Sequence, residues 1–125
     1  MDTNEYLFKR TVQNLQDEKD RQRAERQAAR LRKENALNQL ADKLEFLTNY
    51  GMLIDRKEIK SDYSTPLLKI RKANNIHDYL EIRWDDENYR YYRNWKEENY
   101  YNSIDDIIVE VATCYQNKTK FNKLN

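Results

Sequence analysis

An α+β fold is predicted for this chain: a long charged N-terminal helix, an antiparallel meander of three to four strands, and a closing C-terminal helix. Three observations carry it. Residues 3–50 hold neither glycine nor proline, so nothing in their backbone chemistry interrupts a helix. Beyond Gly51 the apolar residues recur with period two, the period of a strand. From Ser103 onward the helical period returns, with Ile104, Ile107, Ile108, Val111 and Tyr115 on one face.

The first helix carries a stripe that changes character. Steps of four and three join Lys19, Arg23, Arg26, Arg30 and Lys33, and then Leu37, Leu40, Leu44 and Leu47. Such steps place side chains on one side of an α-helix. The leucine half is expected to dock on the small domain, with the cationic half running past it as an arm. Thr3 or Asn4 is the expected N-cap. Gly51 sits where a left-handed residue closes a helix. One unbroken helix over these residues would be ~70 Å long. A break is therefore expected within residues 12–20, where Tyr6, Leu7, Phe8, Val12 and Leu15 give way to charge. The expected organisation is a charged helical arm over 1–35, a small α+β domain over 36–117, and a frayed basic tail over 118–125 with Lys118, Lys120 and Lys123.

The strands follow from alternation and turn chemistry. Met52, Leu53 and Ile54 start the sheet. Residues 57–65 read as a loop. Leu67, Leu68 and Ile70 form the next strand, with Pro66 at its first position, where a missing N–H costs little. Asn74 and Asn75 mark a turn. From His77 to Trp84 the side chains alternate: Leu80, Ile82 and Trp84 face one way, and Tyr79, Glu81 and Arg83 the other. After the acidic turn at residues 85–88, Tyr89 to Trp95 is an aromatic-rich strand. Ser103 caps the last helix, with Asp105 and Asp106 in its first turn, where the helix dipole favours negative charge.

The 125 residues fit one domain with a small core. Charged residues make up 36%, yet net charge is only +1, so the distribution carries the information. Residues 78–110 hold four Lys/Arg against ten Asp/Glu, a net of −6. The single cysteine, Cys114, allows no internal disulfide and no cysteine metal cluster. No apolar stretch reaches the ~20 residues of a membrane helix. The expected location is the cytoplasm of a bacterial host cell.

Catalysis is not expected. One glycine leaves no Gly-rich phosphate loop and no dinucleotide fingerprint. The only histidine, His77, has no partners at metal-site or triad spacing. Cys114 lies at the edge of the last helix's apolar face and reads as a small buried hydrophobe. No catalytic residue, metal or cofactor is assigned.

Binding is expected at two surfaces. Lys19, Arg23, Arg26, Arg30 and Lys33 form the first, because charges segregated to one helix face suit a polyanion or an acidic protein. Asp85, Asp86, Glu87, Tyr91, Glu97 and Glu98 form the second. Spaced carboxylates can stand in for phosphates in a basic cleft, and tyrosines add rigid contact area. Cations along the stripe disfavour a homodimer there, since like charges would meet. A monomer is the expected state, with a homodimer as the alternative.

The tract Arg21-Gln22-Arg23-Ala24-Glu25-Arg26 through Leu31-Arg32-Lys33, together with Asn102-Ser103-Ile104-Asp105-Asp106-Ile107-Ile108, resembles in its organisation small anti-CRISPR proteins of Gram-positive phages and mobile elements. These inhibit Cas9-type nucleases. The resemblance implies stoichiometric binding to a bacterial nuclease or its RNA/DNA complex, with no chemistry by the inhibitor. The alternative is a DNA- or RNA-binding accessory or regulatory protein of a phage or mobile element.

Overall fold

The computed structural model describes residues 2–60, 65–93 and 99–124. The chain divides into two compact units, residues 1–31 and 32–125. Helix α1 spans Thr3–Leu44 and is followed by a 3-10 turn, Glu45–Tyr50. Strands β1 (Met52–Asp55), β2 (Leu68–Lys72), β3 (Asn75–Asp85), β4 (Arg90–Arg93) and β5 (Tyr100–Tyr101) follow. Helix α2 (Ile104–Asn117) and a short 3-10 turn (Phe121–Leu124) close the chain. The α+β architecture is the one the sequence predicts, with one strand more than the expected three to four.

Residues 3–28 of α1 are exposed on every side. The break expected within residues 12–20 is absent, and local pairing explains why. Gln13 donates to Asp17 at 2.8 Å, Gln16 to Asp20 at 3.0 Å, and Arg21 pairs with Glu18. These contacts, three and four residues apart, staple the very turns where the apolar residues run out. The N-cap is Asp2 rather than Thr3 or Asn4: its carboxylate accepts the Asn4 N–H at 3.0 Å.

From Arg32 the helix belongs to the second unit. Leu37, Leu40, Ala41 and Leu44 are fully buried. The α-helix stops at Leu44, seven residues before Gly51, and tightens into the 3-10 turn. With three residues per turn, Leu47 falls in line above Leu44 and stays buried. Gly51 closes the turn at φ +78°, the left-handed conformation foreseen for it.

The sheet is an antiparallel meander in chain order, β1 to β5. Its register pairs Ile54 with Ile70, Ile70 with Leu80, and Leu68 with Ile82. Since alternate side chains share a face, this register collects Met52, Leu68, Ile70, Leu80, Ile82 and Tyr101 into one buried cluster. Leu37 to Leu47 of the first segment and Ile107, Val111 and Cys114 of α2 complete it. On α2, Cys114 takes the buried position and Tyr115 stays half exposed. Ser103 caps the helix by accepting the Asp106 N–H at 3.4 Å. On the opposite sheet face Tyr79 lies under Lys69 and Arg71, their cationic groups 4.6 and 4.8 Å from the ring centre. Arg83, expected to face outward, is 1% exposed and sits 3.2 Å from Glu81.

The tail is docked rather than frayed. Lys118 adopts a left-handed conformation at φ 55°, and the N–H of Thr119 reaches back to the Cys114 carbonyl at 2.9 Å. This pair of features is a helix-closing motif that redirects the chain. Phe121 is then buried completely. The Asn122 N–H donates to Asp78 at 2.9 Å, and Lys72 Nζ donates to the Thr119 carbonyl at 2.9 Å. One aromatic residue among polar neighbours thus anchors a segment whose composition reads as loose.

Candidate functional site

The five cations of the stripe divide into three environments. Lys19, Arg23 and Arg26 are exposed, and among the described residues they form no ion pair. Arg30 is half-buried. Lys33, in the second unit, is half-buried and lowers the Asp86 pKa through its charge. The helix itself explains the open set. Asp17 and Asp20 are taken up by Gln13 and Gln16, and Glu18 by Arg21. These three carboxylates are engaged by residues outside the stripe, and the stripe keeps its charge for solvent or a partner.

The acidic surface is more engaged. Asp85 accepts the backbone N–H groups of Glu87 and Asn88 and the Asn88 side-chain amide, and Arg90 lies 3.7 Å away. The Asn88 amide leads in holding its carboxyl below the usual carboxylate range. Asp86 accepts from Arg32 Nε at 2.8 Å and from the Trp84 indole at 3.3 Å. The Arg32 hydrogen bond is the main reason its pKa is lowered. Both carboxylates shape the turn, and the turn presents Glu87, Asn88 and Tyr89 outward. Tyr89 is 76% exposed at φ 52°. Tyr91 turns toward the core edge, with its ring 4.8 Å from Trp84, and burial pushes its hydroxyl pKa up. Glu97 and Glu98 lie outside the described residues.

Two other polar groups are held inside the domain. Asp78 is 1% exposed, 3.4 Å from Lys72, and accepts the Asn122 N–H. It borders a cleft lined by Tyr50, Lys72, Asn75, Tyr115 and Lys118, but its partners are all the protein's own. Arg93 donates to Glu110 at 2.6 Å and to the Tyr101 hydroxyl at 3.4 Å. Burial is the first cause that raises the Cys114 thiol pKa, and the residue is 3% exposed, an arrangement that suppresses thiolate reactivity. Among the described residues no group of His, Cys, Asp and Glu is placed to hold a metal ion. None of their helices is long and apolar enough to cross a membrane.

The sequence reading passed over three residues of the same helix line. Phe8, Val12 and Leu15 precede Lys19 by steps of four, three and four, so the stripe begins with them. They are 68%, 51% and 60% exposed. The spacing was legible, but these residues served there only to mark the end of an apolar run. The chain matches no known family model, no curated protein and no solved structure.

Proposed function

We propose that this chain is a non-enzymatic inhibitor that binds and blocks a nucleic-acid-processing enzyme. The specific form, which rests on the resemblance, is a CRISPR-Cas9-type nuclease or its guide RNA complex. One observation carries the reading: Lys19, Arg23 and Arg26 are exposed and make no ion pair among the described residues. A solvated structural helix gains a few tenths of a kcal/mol from each opposite-charge pair three or four residues apart. A face that forgoes those pairs keeps its cations for an anionic partner. The turn at residues 85–89 supplies the second contact, offering Glu87 and Tyr89 from a frame fixed by Asp85 and Asp86.

The test is a cleavage assay with purified Cas9-type ribonucleoproteins. Wild-type protein should inhibit at stoichiometric amounts. The triple variant K19E/R23E/R26E should lose inhibition while keeping the wild-type melting temperature, because none of the three side chains is buried. Inhibition unchanged by the triple variant would remove the stripe from the mechanism. A gel shift without nuclease separates the main alternative: tight, salt-sensitive binding to DNA or RNA alone would mark a nucleic-acid-binding accessory protein.

A further inference from the structure

The cationic stripe is the second half of a longer line. At 100° per residue, Phe8, Val12, Leu15, Lys19, Arg23 and Arg26 fall within ~80° of helix circumference and span ~27 Å. All six are exposed, and all lie in the unit of residues 1–31. Leu7 and Tyr6, 62% and 56% exposed, lie roughly 120° and 140° around the helix from this line and are not part of it. Exposed apolar side chains scattered singly need no explanation, but a contiguous patch joined to a charged one marks an interaction surface.

We propose that residues 8–26 of α1 form one two-part docking strip for an acidic amphipathic helix of a partner protein. Phe8, Val12 and Leu15 take its apolar side chains, and Lys19, Arg23 and Arg26 take its carboxylates. The proposal rests on the stripe being a contact surface and names what that surface contacts.

Charge and area select this occupant over others. Residues 2–18 carry two Lys/Arg against four Asp/Glu, a net of −2, and residues 19–30 carry five against two, a net of +3. A nucleic-acid strand following the line would pass from a cationic segment onto a negative, apolar one that repels phosphate and offers it nothing. A second copy paired in parallel sets Lys19, Arg23 and Arg26 against their own images. Paired antiparallel about Val12, it joins only three apolar residues per chain, short of the three to four heptads a coiled coil sustains. A partner helix with apolar residues opposite one end and Glu or Asp opposite the other satisfies both halves. This is the helix-against-helix mode of recognition, with anchors three and four residues apart.

Full-length protein would be titrated into a fluorescent synthetic peptide of about four heptads. Leu occupies the a and d positions of two heptads, and Glu occupies them in the other two. Both block orders are used, so that parallel and antiparallel docking are each allowed. The expected result is saturable binding to one order, with at least about tenfold weakening in F8S/V12S/L15S and again in K19E/R23E/R26E. The apolar contribution should persist when sodium chloride is raised. Circular dichroism of each variant confirms that α1 is intact. The proposal is overturned if neither peptide binds, or if F8S/V12S/L15S binds as wild type. It is also overturned if a poly(dT) oligonucleotide, an anionic vesicle of phosphatidylserine or self-association by sedimentation depends on Phe8, Val12 and Leu15 while the peptides do not. The cleavage assay keeps the two readings apart. If F8S/V12S/L15S inhibits normally and K19E/R23E/R26E does not, the docking strip fails and the inhibitor reading stands.

Discussion

The leucine half of the α1 stripe makes a sharp prediction at Leu40. Its side chain is fully buried in the cluster shared with Leu68, Ile70, Leu80 and Ile82. Leu40→Ala removes three carbons, worth about 2.4 kcal/mol at about 0.8 kcal/mol each. The cavity they leave adds to that, because a sheet held by its own ladder cannot collapse onto the space, and the total becomes about 3–4 kcal/mol. For the unit of residues 32–125, each kcal/mol is worth roughly 4–8 °C, so the midpoint should fall by about 12–30 °C. Leu31→Ala is the matched control on the same helix, nine residues earlier in the sequence. Leu31 is 56% exposed, and its loss should stay within about 0.5 kcal/mol. Urea unfolding followed by circular dichroism measures both. If Leu40→Ala costs under about 1 kcal/mol, or if Leu31→Ala costs as much, the assignment of this face to the core is refuted.

Acid should destabilise the domain in a defined window. Burial opposes ionisation of Asp55, but the Lys57 N–H and Arg71 outweigh it, so its folded pKa is lowered. Asp85 is lowered chiefly by the Asn88 side chain. Their stabilising contribution is complete above the unfolded carboxylate value of about 3.9 and is lost as pH falls through the folded values. The melting temperature should hold from pH 7 to about 5 and drop below about 4, and D55N/D85N should flatten that drop. Gly51→Ala should cost about 1–2 kcal/mol in thermal melts from its left-handed backbone alone, since a Cβ there meets no atom within 4 Å. Cys114 should react with iodoacetamide at least about tenfold more slowly in native protein than in urea, given its burial and raised pKa.

The elements legible in the sequence were those written in one repeating pattern. Leu37, Leu40, Leu44 and Leu47 declared a buried face by spacing alone, and Leu80 and Ile82 declared another by alternation. What escaped depended on residues far apart in the chain. Tyr100 and Tyr101 form a strand of two residues because Tyr91 and Tyr92 are placed to pair with them, and two residues carry no period. Phe121 anchors the tail through β3, with Asn122 reaching Asp78 across 44 positions. Arg83 shows the same limit: alternation correctly assigned it to the face opposite Leu80 and Ile82, but its burial depends on what covers that face. Within the candidate surface, the positions of Lys19, Arg23 and Arg26 were legible. Which cations remain open was not, because that depends on rotamers and on the side chains that occupy Asp17, Glu18 and Asp20.

The unbroken course of α1 through residues 12–20 bears on what the exposed segment is for. A helix with no buried face gains nothing from tertiary packing, which is the usual source of helical stability. Residues 3–28 must hold their shape by local means, and they use several. There is an Asp2 cap, an absence of Gly and Pro, alanines at 24 and 28, and pairs such as Gln13–Asp17 and Gln16–Asp20. Each is worth a fraction of a kcal/mol to about 1 kcal/mol. A mere spacer would serve equally well with its apolar residues replaced by polar ones. Instead the line from Phe8 to Arg26 keeps apolar and cationic groups in register along one side, and it keeps them in water. A rigid helix lowers the ordering cost that a flexible segment meets on binding. The local pairs that keep residues 3–28 helical therefore also preorganise the strip of residues 8–26 for a partner.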